Sequence, residues 1–245
     1  MAGSPVTTEL YDRLQTQVHV WYCSPPLIDD RQKLAEYKAV LSKQECERYL
    51  RFRFDKDRHS YLVAHALLRY ALSEYVTQPA SQWQFDIGEH GKPVLKTSPL
   101  HDLRFNLTHT DGLCACVISS NRRCGIDAEN IRRKNKLSAV AQRMFAEEEL
   151  VQLDEANIDT AFYYFWTLRE AYVKALGVGL AGSSKGFYFD VDQRALRAQM
   201  FHRNAAEVDS GNWRFWLSEP APAHVLSIGV ESSDEVQLVI NELDF

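Results

Sequence analysis

Two stretches of the chain, residues 18–119 and 124–230, carry the same order of predicted elements. Each begins with a short strand, continues with a helix and a longer helix, and ends in a small antiparallel sheet. The two stretches show no residue-by-residue repeat. The shared order of elements therefore predicts a shared topology and no more. We therefore predict an α+β fold of two similar halves, 1–120 and 121–245, each with a small, mainly antiparallel sheet packed on a long helix.

Local signals give the approximate ends of these elements. Ser42 followed by Glu45 has the spacing of a capping box and predicts a helix start, and Asp111-Gly112 predicts a tight hairpin turn. Apolar periodicity predicts helices at 57–76, 138–153 and 159–176. Strands are predicted at 18–23, 84–87, 93–95, 104–109, 113–119, 124–129, 187–191, 213–218, 224–230 and 236–243.

Composition excludes several classes of protein. The 245 residues carry 28 Lys+Arg against 33 Asp+Glu, a net charge of −5, which argues against a protein that coats nucleic acid or an anionic membrane. The five cysteines include no C-x-x-C pair, and Cys114 and Cys116 are predicted to be small buried residues on one strand face. With no signal-peptide pattern and no apolar run long enough to span a bilayer, we expect a cytoplasmic protein.

Asp127 and Glu129 are the first candidate functional residues. Positions i and i+2 of a strand point to the same side, so the segment GIDAE presents two carboxylates together. Carboxylate oxygens are the ligands that Mg²⁺ prefers, and such sites are often completed by substrate phosphates. The alternative is a polar strand edge with two exposed acids.

Glu170 and Lys174 form the second candidate pair. They lie one turn apart in the segment WTLREAYVK, which is apolar on several sides. A surface ion pair is the simpler interpretation and contributes little to stability. An acid and a base on a mostly buried helix more often serve a function.

Two weaker signals precede these. Thr108-His109, at the end of a predicted strand, could donate to phosphate oxygens, or His109 could be a capped turn residue. Gly91-Lys92-Pro93 predicts a turn that displays Lys92, and a lysine in a turn is usually just solvated.

Taken together, the motifs GKP, NLTH, GIDAE and WTLREAYVKALGVGL resemble the 4′-phosphopantetheinyl transferases, in particular the larger surfactin-synthetase-activating type. The resemblance extends to the helical segments from Ser42 to Arg69 and covers about residues 40–190. It implies transfer of the phosphopantetheine arm of coenzyme A to a serine of an apo carrier protein, with release of adenosine 3′,5′-bisphosphate. It also implies a monomer of two halves related by a pseudo-two-fold axis, with the active site in the cleft between them.

The resemblance assigns roles to individual residues. Asp127, Glu129 and Glu170 would hold Mg²⁺, for which Mn²⁺ could substitute, and Glu170 is the candidate base for the carrier serine. The implied catalytic residues are Asp127, Glu170, Lys174 and His109. The residues implied in binding coenzyme A are Arg48, Arg58, Gly91, Lys92, Pro93, Thr108, His109, Asp127, Glu170 and Lys174. Ser60 stands where some relatives in the family have a basic residue for the 3′-phosphate, which leaves that contact open, with His59 or Arg58 as substitutes. Arg169 stands where lysine is common in the family, so the positive charge is kept.

A basic segment comes directly after the predicted metal strand. We expect it to dock the acidic carrier protein, since opposite charges accelerate association. The candidate docking residues are Arg132, Arg133, Lys134, Lys136, Met144 and Phe145. The alternative is a solvated loop that leads into a core helix.

Two other functions remain open from the residues themselves. Asp127 and Glu170 could carry out a two-carboxylate hydrolysis without metal, which leaves GKP and the Thr-His pair unexplained. Residues 131–136 could instead serve a non-enzymatic carrier- or nucleic-acid-binding module, with aromatic side chains as stacking surfaces. Most aromatic residues fall in strand or helix patterns, so we expect no nucleic-acid or membrane partner.

Overall fold

The computed structural model describes most of the chain. The described residues are 6–88, 92–96, 102–132, 137–154, 158–179, 185–203 and 211–243. The chain divides into two compact units, the first made of residues 1–121 with 236–245 and the second of residues 122–235. The sequence-based division places residues 236–245 with the second half instead.

The first unit is built on a four-stranded sheet. Its helices are α1 (Glu9–Arg13), α2 (Arg31–Val40), α3 (Lys43–Arg51) and α4 (Asp55–Ser73). Its strands are β1 (Gln17–Cys23), β2 (Phe85–Ile87), β3 (Pro93–Leu95), β4 (Leu103–Thr110), β5 (Leu113–Ser120) and β11 (Gln237–Glu242). The sheet order is β11-β1-β5-β4, where β5 is antiparallel to both neighbours and β11 runs parallel to β1. Strands β2 and β3 form a separate hairpin.

The second unit is built on a three-stranded antiparallel sheet. Its helices are α5 (Leu137–Met144), α6 (Glu147–Asp154) and α7 (Ile158–Leu176). Its strands are β6 (Cys124–Asn130), β7 (Phe187–Asp192), β8 (Arg197–His202), β9 (Trp213–Ser218) and β10 (His224–Glu231). The sheet order is β6-β10-β9, and β7 with β8 forms a separate hairpin.

The two units share one topology. The orders β1-β5-β4 and β6-β10-β9 correspond strand by strand, and each unit has a two-stranded hairpin after its long helix. Both long helices, α4 and α7, have 19 residues and pack on the sheet of their own unit. The predicted α+β fold is confirmed, and the repeated order of elements is present in the structure. None of the described helices, α4 and α7 included, combines the length and apolar character needed to cross a membrane.

The first unit's core lies between α4 and the sheet. Leu67 and Leu72 of α4 are fully buried, as are Cys114 and Cys116 of β5, so the prediction that these two thiols act as small core residues is confirmed. The predicted capping box is also confirmed: the Ser42 hydroxyl accepts from the Glu45 backbone N–H at 3.2 Å, and the Glu45 carboxylate accepts from the Ser42 N–H at 2.7 Å.

The prediction of one helix over 138–153 is wrong. The segment forms two helices, α5 and α6, which separate at Phe145 and Ala146. The Glu149 carboxylate accepts a hydrogen bond from the Ala146 backbone N–H at 2.9 Å, which satisfies a group at the start of α6. The apolar pattern continues through the break because Phe145 is itself buried.

His19 gives the first unit a pH-dependent stability. The ring is buried between the Tyr75 hydroxyl, 2.8 Å from Nδ1, and the Gln17 side chain, 2.9 Å from Nε2. Burial, with a smaller contribution from Arg13, lowers the pKa of His19 from 6.5 to about 4. Because the folded-state pKa is depressed, the contribution to stability is complete above pH 6.5 and is lost as the pH falls from 6.5 towards 4.

We therefore expect His19→Gln to flatten the acid limb of the stability curve. Between about pH 7.5 and pH 4.5, the unfolding free energy of the wild type should fall by about 2 kcal/mol more than that of the variant. Urea unfolding followed by tryptophan fluorescence at both pH values measures this. Equal losses in the two proteins would contradict the assignment.

Candidate active site

Strand β6 presents its odd-numbered residues to helix α7. Gly125, Asp127 and Glu129 lie on this side, and Ile126 and Ala128 are buried on the other. A Cβ atom on Gly125 would overlap the Ala171 carbonyl oxygen and lie 2.5 Å from the Ala175 backbone nitrogen. The backbone of α7 therefore rests directly on β6, which brings the side chains of the two elements within reach of each other.

Lys174 reaches from α7 to β6. Its Nζ donates to Asp127 Oδ1 at 2.6 Å and to the Ile126 carbonyl oxygen at 3.2 Å. The Asp127 side chain is 9% exposed and that of Lys174 is 29% exposed, so the pair is largely shielded from water. A shielded ion pair is weakened little by salt, and each partner depends on the other for compensation of its charge.

Glu170 lies one turn before Lys174 and is half-buried. The pKa of Glu170 is raised from 4.5 to about 7. Desolvation by burial is the largest cause, followed by the negative charge of Asp127; Lys174 lowers the pKa by less, and Glu129 adds a smaller rise. A carboxyl group that titrates near neutral pH can take up or release a proton under physiological conditions. The three acids named from the sequence are thus electrostatically coupled in the second unit.

The chemistry of these carboxylates fits a hard cation. The negative charges of Asp127 and Glu129, which raise the pKa of Glu170, would be compensated by a divalent ion bound among the three acids, and all the donor atoms are oxygens. Within the described part of the chain, however, no three His, Cys, Asp or Glu side chains are grouped closely enough to form a metal site as they stand. Asp127 is engaged by Lys174 instead.

Thr167 and Ser227 lie beside the acids, and sequence reasoning did not single them out. Ser227 of β10 is the register partner of Asp127, and its Oγ is 2.7 Å from Thr167 Oγ1 of α7. Both residues are completely buried. This hydrogen bond ties α7 to the middle of the sheet at the level of Asp127.

The corresponding face of the first unit is filled by other residues. Register with β5 and β10 matches Trp21 to Asp127 and Cys23 to Glu129. The Trp21 indole N–H donates to the Tyr75 hydroxyl at 2.9 Å, and Cys23 is buried in the core. Of the two units, therefore, only the second carries acidic residues at these two strand positions.

Apart from Asp127, Glu170 and Lys174, the residues assigned to coenzyme A binding belong to separate segments of the first unit. Thr108, buried, and His109, exposed, lie on β4, and Lys92 and Pro93 lie at the start of β3. Arg48 of α3 stacks over the Tyr61 ring at 5.6 Å. Gly91 lies outside the described residues.

Arg58 of α4 is held by its neighbours. Its guanidinium donates to the Phe52 carbonyl oxygen at 2.8 Å and pairs with Asp55 at 3.0 Å. It lines a cavity of about 410 Å³ together with Lys38 and Tyr49. Ser60 is buried, so the hydroxyl that replaces a basic residue of the family does not point to open solvent.

The predicted docking residues fall into three groups. Arg132 is exposed, while Arg133, Lys134 and Lys136 lie outside the described residues. Met144 is half-buried against the second unit's core. Phe145 is fully buried, with its ring 5.2 Å from that of Phe162, so it does not reach the surface and cannot contact a docked partner.

Arg169 is a further buried residue that the sequence did not assign to this position. Its guanidinium pairs with the Glu149 carboxylate at 2.6 Å and donates to the Phe187 carbonyl oxygen at 2.9 Å. It therefore faces away from Glu170 and Asp127. A glutamate three residues after Ala146 and an arginine inside an apolar helix are the only sequence signals of this pair.

Comparisons with known proteins show the family of the chain. A family model described as the 4′-phosphopantetheinyl transferase superfamily matches residues 123–229, and one described as 4′-phosphopantetheinyl transferase, N-terminal, matches residues 29–122. The chain is 34% identical over 172 residues to the 4′-phosphopantetheinyl transferase HetI of Nostoc sp., covering 69% of this chain and 72% of HetI. It is 28% identical over 163 residues to the 4′-phosphopantetheinyl transferase Sfp of Bacillus subtilis, covering 65% and 70%.

A mammalian relative covers more of the chain. The L-aminoadipate-semialdehyde dehydrogenase-phosphopantetheinyl transferase of Mus musculus is 23% identical over 210 residues, 79% of this chain and 68% of the mouse protein. These matches define a class of group-transferring enzymes. The chain belongs to the 4′-phosphopantetheinyl transferase superfamily.

Proposed function

We propose that this enzyme transfers the 4′-phosphopantetheine arm of coenzyme A to a serine hydroxyl of an apo carrier protein. The serine oxygen forms a bond to phosphorus, the diphosphate linkage of coenzyme A breaks, and adenosine 3′,5′-bisphosphate leaves. The observation that carries the proposal is the group on β6 and α7. It combines a carboxyl titrating near neutral pH, Glu170, with two further acids and a cation, Lys174, in contact with one of them. A protein catalyses the attack of a hydroxyl on a diphosphate by positioning the reactants, compensating phosphoryl charge and accepting the hydroxyl proton.

Each residue of this group has a distinct part in the proposed reaction. Glu170 accepts the proton of the carrier serine, directly or through one water molecule, because its pKa of about 7 lies near the working pH. Lys174, released from Asp127, would bind a phosphate oxygen of coenzyme A. Asp127, Glu129 and Glu170 are the residues that would hold Mg²⁺ or Mn²⁺, which neutralises the diphosphate when bound.

The first unit would supply contacts to coenzyme A. Lys92, Thr108 and His109 carry groups that can donate hydrogen bonds to phosphate oxygens. His109 is exposed on the edge strand β4. Arg48, stacked on Tyr61 at an exposed position of α3, would contribute further positive charge.

Incubation with coenzyme A, Mg²⁺ and a panel of apo carrier proteins tests the function. We expect at least one fatty-acid, polyketide or peptide synthase carrier to gain the mass of one phosphopantetheine arm, as read by intact-protein mass spectrometry. EDTA should abolish the modification. Asp127→Ala should lower the rate of modification about 10²–10³-fold or more, because a charge-stabilising group is removed. Folded enzyme that modifies no carrier, or that works equally well in EDTA, would refute the proposal as stated.

We further propose that the basic segment after β6 docks the carrier. Arg132 is exposed at its start, and the partner proposed here is acidic. The double variant Arg132→Glu/Arg133→Glu should raise the KM for the carrier and reduce its sensitivity to salt, while the KM for coenzyme A stays the same. Steady-state kinetics at two ionic strengths measure both constants, and an unchanged carrier KM would contradict docking at this segment.

A further inference from the structure

An ion pair in the second unit holds α7 on the side away from the acids. The Glu149 and Arg169 side chains are essentially inaccessible to water and lie 2.6 Å apart. Glu149 also accepts from the Phe189 backbone N–H at 3.0 Å and from the Ala146 N–H at 2.9 Å, and Arg169 stacks 4.5 Å from the Phe187 ring centroid. One pair thus joins α6, α7 and β7.

The first unit contains the same arrangement with different residues. Glu45 of α3 pairs with buried Arg69 of α4, which donates to the Trp83 carbonyl oxygen at 2.6 Å and stacks 4.8 Å from the Phe85 ring. In both units the glutamate accepts from the backbone N–H three residues before it, the arginine lies on the long helix, and the stacked phenylalanine begins the first strand of the hairpin. We call these two pairs the helix clamps.

The two long helices differ in the residues that come after the clamp arginine. In α7 the residues one and five positions after Arg169 are Glu170 and Lys174. The equivalent residues after Arg69 are Tyr70 of α4 and Glu74, which caps the end of that helix. The two clamps are therefore alike in construction, and only the one in the second unit directly precedes residues of the proposed reaction.

We infer that the Glu149–Arg169 clamp is a positioning device for the reaction. It sets the rotation and axial position of α7 so that Glu170 and Lys174 face the acids of β6. This inference rests on the proposed function. Neither clamp residue touches a substrate, and both act through the adjoining turn of α7.

The physical reason lies in how α7 is held between two contacts. On one face its backbone rests on Gly125, and on the opposite side the forked guanidinium of Arg169 binds the Glu149 carboxylate and a carbonyl oxygen. A planar fork with several donors fixes direction as well as distance, which a lysine ammonium does not. A loss of placement near 1 Å can reduce catalysis about 10²-fold.

The test compares Arg169→Gln with its matched control in the first unit, Arg69→Gln. Both should lower the urea midpoint, since each loses the guanidinium and its charge. We expect only Arg169→Gln to lower kcat, about 10²-fold, and to raise the Mg²⁺ concentration for half-maximal rate at least about tenfold. Mn²⁺ binding to the coenzyme A complex, measured by calorimetry, should weaken in parallel for Arg169→Gln and stay at the wild-type value for Arg69→Gln.

Two outcomes would overturn the inference. One is wild-type kcat and Mn²⁺ affinity in folded Arg169→Gln. The other is an equal loss in Arg69→Gln, which would assign the effect to general destabilisation. Should Arg169→Gln fail to fold, Glu149→Gln, which keeps a carbonyl acceptor for the backbone N–H groups, takes its place with Glu45→Gln as control. A wild-type enzyme inactive on every carrier would instead refute the proposed function, and Mn²⁺ binding would still report on the clamp.

Discussion

Replacing Gly125 by alanine should destabilise the second unit by about 3 kcal/mol or more, at the upper end of what overpacking costs. The added methyl group would meet the Ala171 carbonyl oxygen and the Ala175 backbone nitrogen, and neither can move without shifting α7. We expect the turnover number to fall as well, because the shift carries Glu170 and Lys174 away from β6. Chemical denaturation and carrier-modification kinetics measure the two effects.

Gly229 provides a matched control for this substitution. It is the register partner of Gly125, and a Cβ atom there would lie 2.8 Å from the ring of Phe215, a side chain that can rotate away. Neither glycine has a positive φ, so backbone strain does not enter the comparison. Gly229→Ala should therefore cost much less. Equal unfolding free energies for the two variants would show that α7 does not rest on the Gly125 backbone.

Replacing Lys174 by methionine should lower kcat about 10²–10³-fold, the range found when one charge-stabilising donor is removed from an active site. The variant keeps the length and apolar stem of the side chain and removes its charge. It should also be less stable, because the buried carboxylate of Asp127 loses its ion-pair partner at 2.6 Å.

A double variant separates these two effects. Asp127→Asn/Lys174→Met removes both charges and should recover much of the stability lost in Lys174→Met, since no uncompensated charge stays buried. It should recover none of the activity. A double variant as active as the wild type would contradict the assignment of these residues to the reaction. Lys174→Arg, which keeps the charge but changes its shape, should retain more activity than Lys174→Met.

The sequence predicted most elements within a few residues, because the signals there are local. Apolar, β-branched residues indicated strand β5, capping chemistry indicated the start of α3, and Asp111-Gly112 indicated the turn between β4 and β5. The i, i+2 spacing on β6 indicated that Asp127 and Glu129 could share a strand face, and the i, i+4 spacing on α7 indicated the same for Glu170 and Lys174 on that helix. These periods depend on backbone geometry and need no knowledge of the rest of the fold.

Other features depend on residues distant in sequence, and local patterns could not predict them. The pairing of β11 with β1 joins Gln17 to Gln237, and nothing near either residue indicates the other. Glu149 and Arg169 lie 20 residues apart, and nothing near either one in sequence indicates the other. Both are buried because they form an ion pair with each other. Phe145 fits a helical stripe, yet the carboxylate of Glu149 begins a new helix just after it.

The parallel pairing of β11 with β1 has a consequence for the order in which the chain acquires its structure during synthesis. The first unit's sheet includes residues 237–242, which leave the ribosome after all of residues 122–235. The second unit is thus continuous in sequence and can form as soon as it is made, as domains commonly do. The first unit completes its sheet only with β11, although residues 1–121 are translated before the second unit.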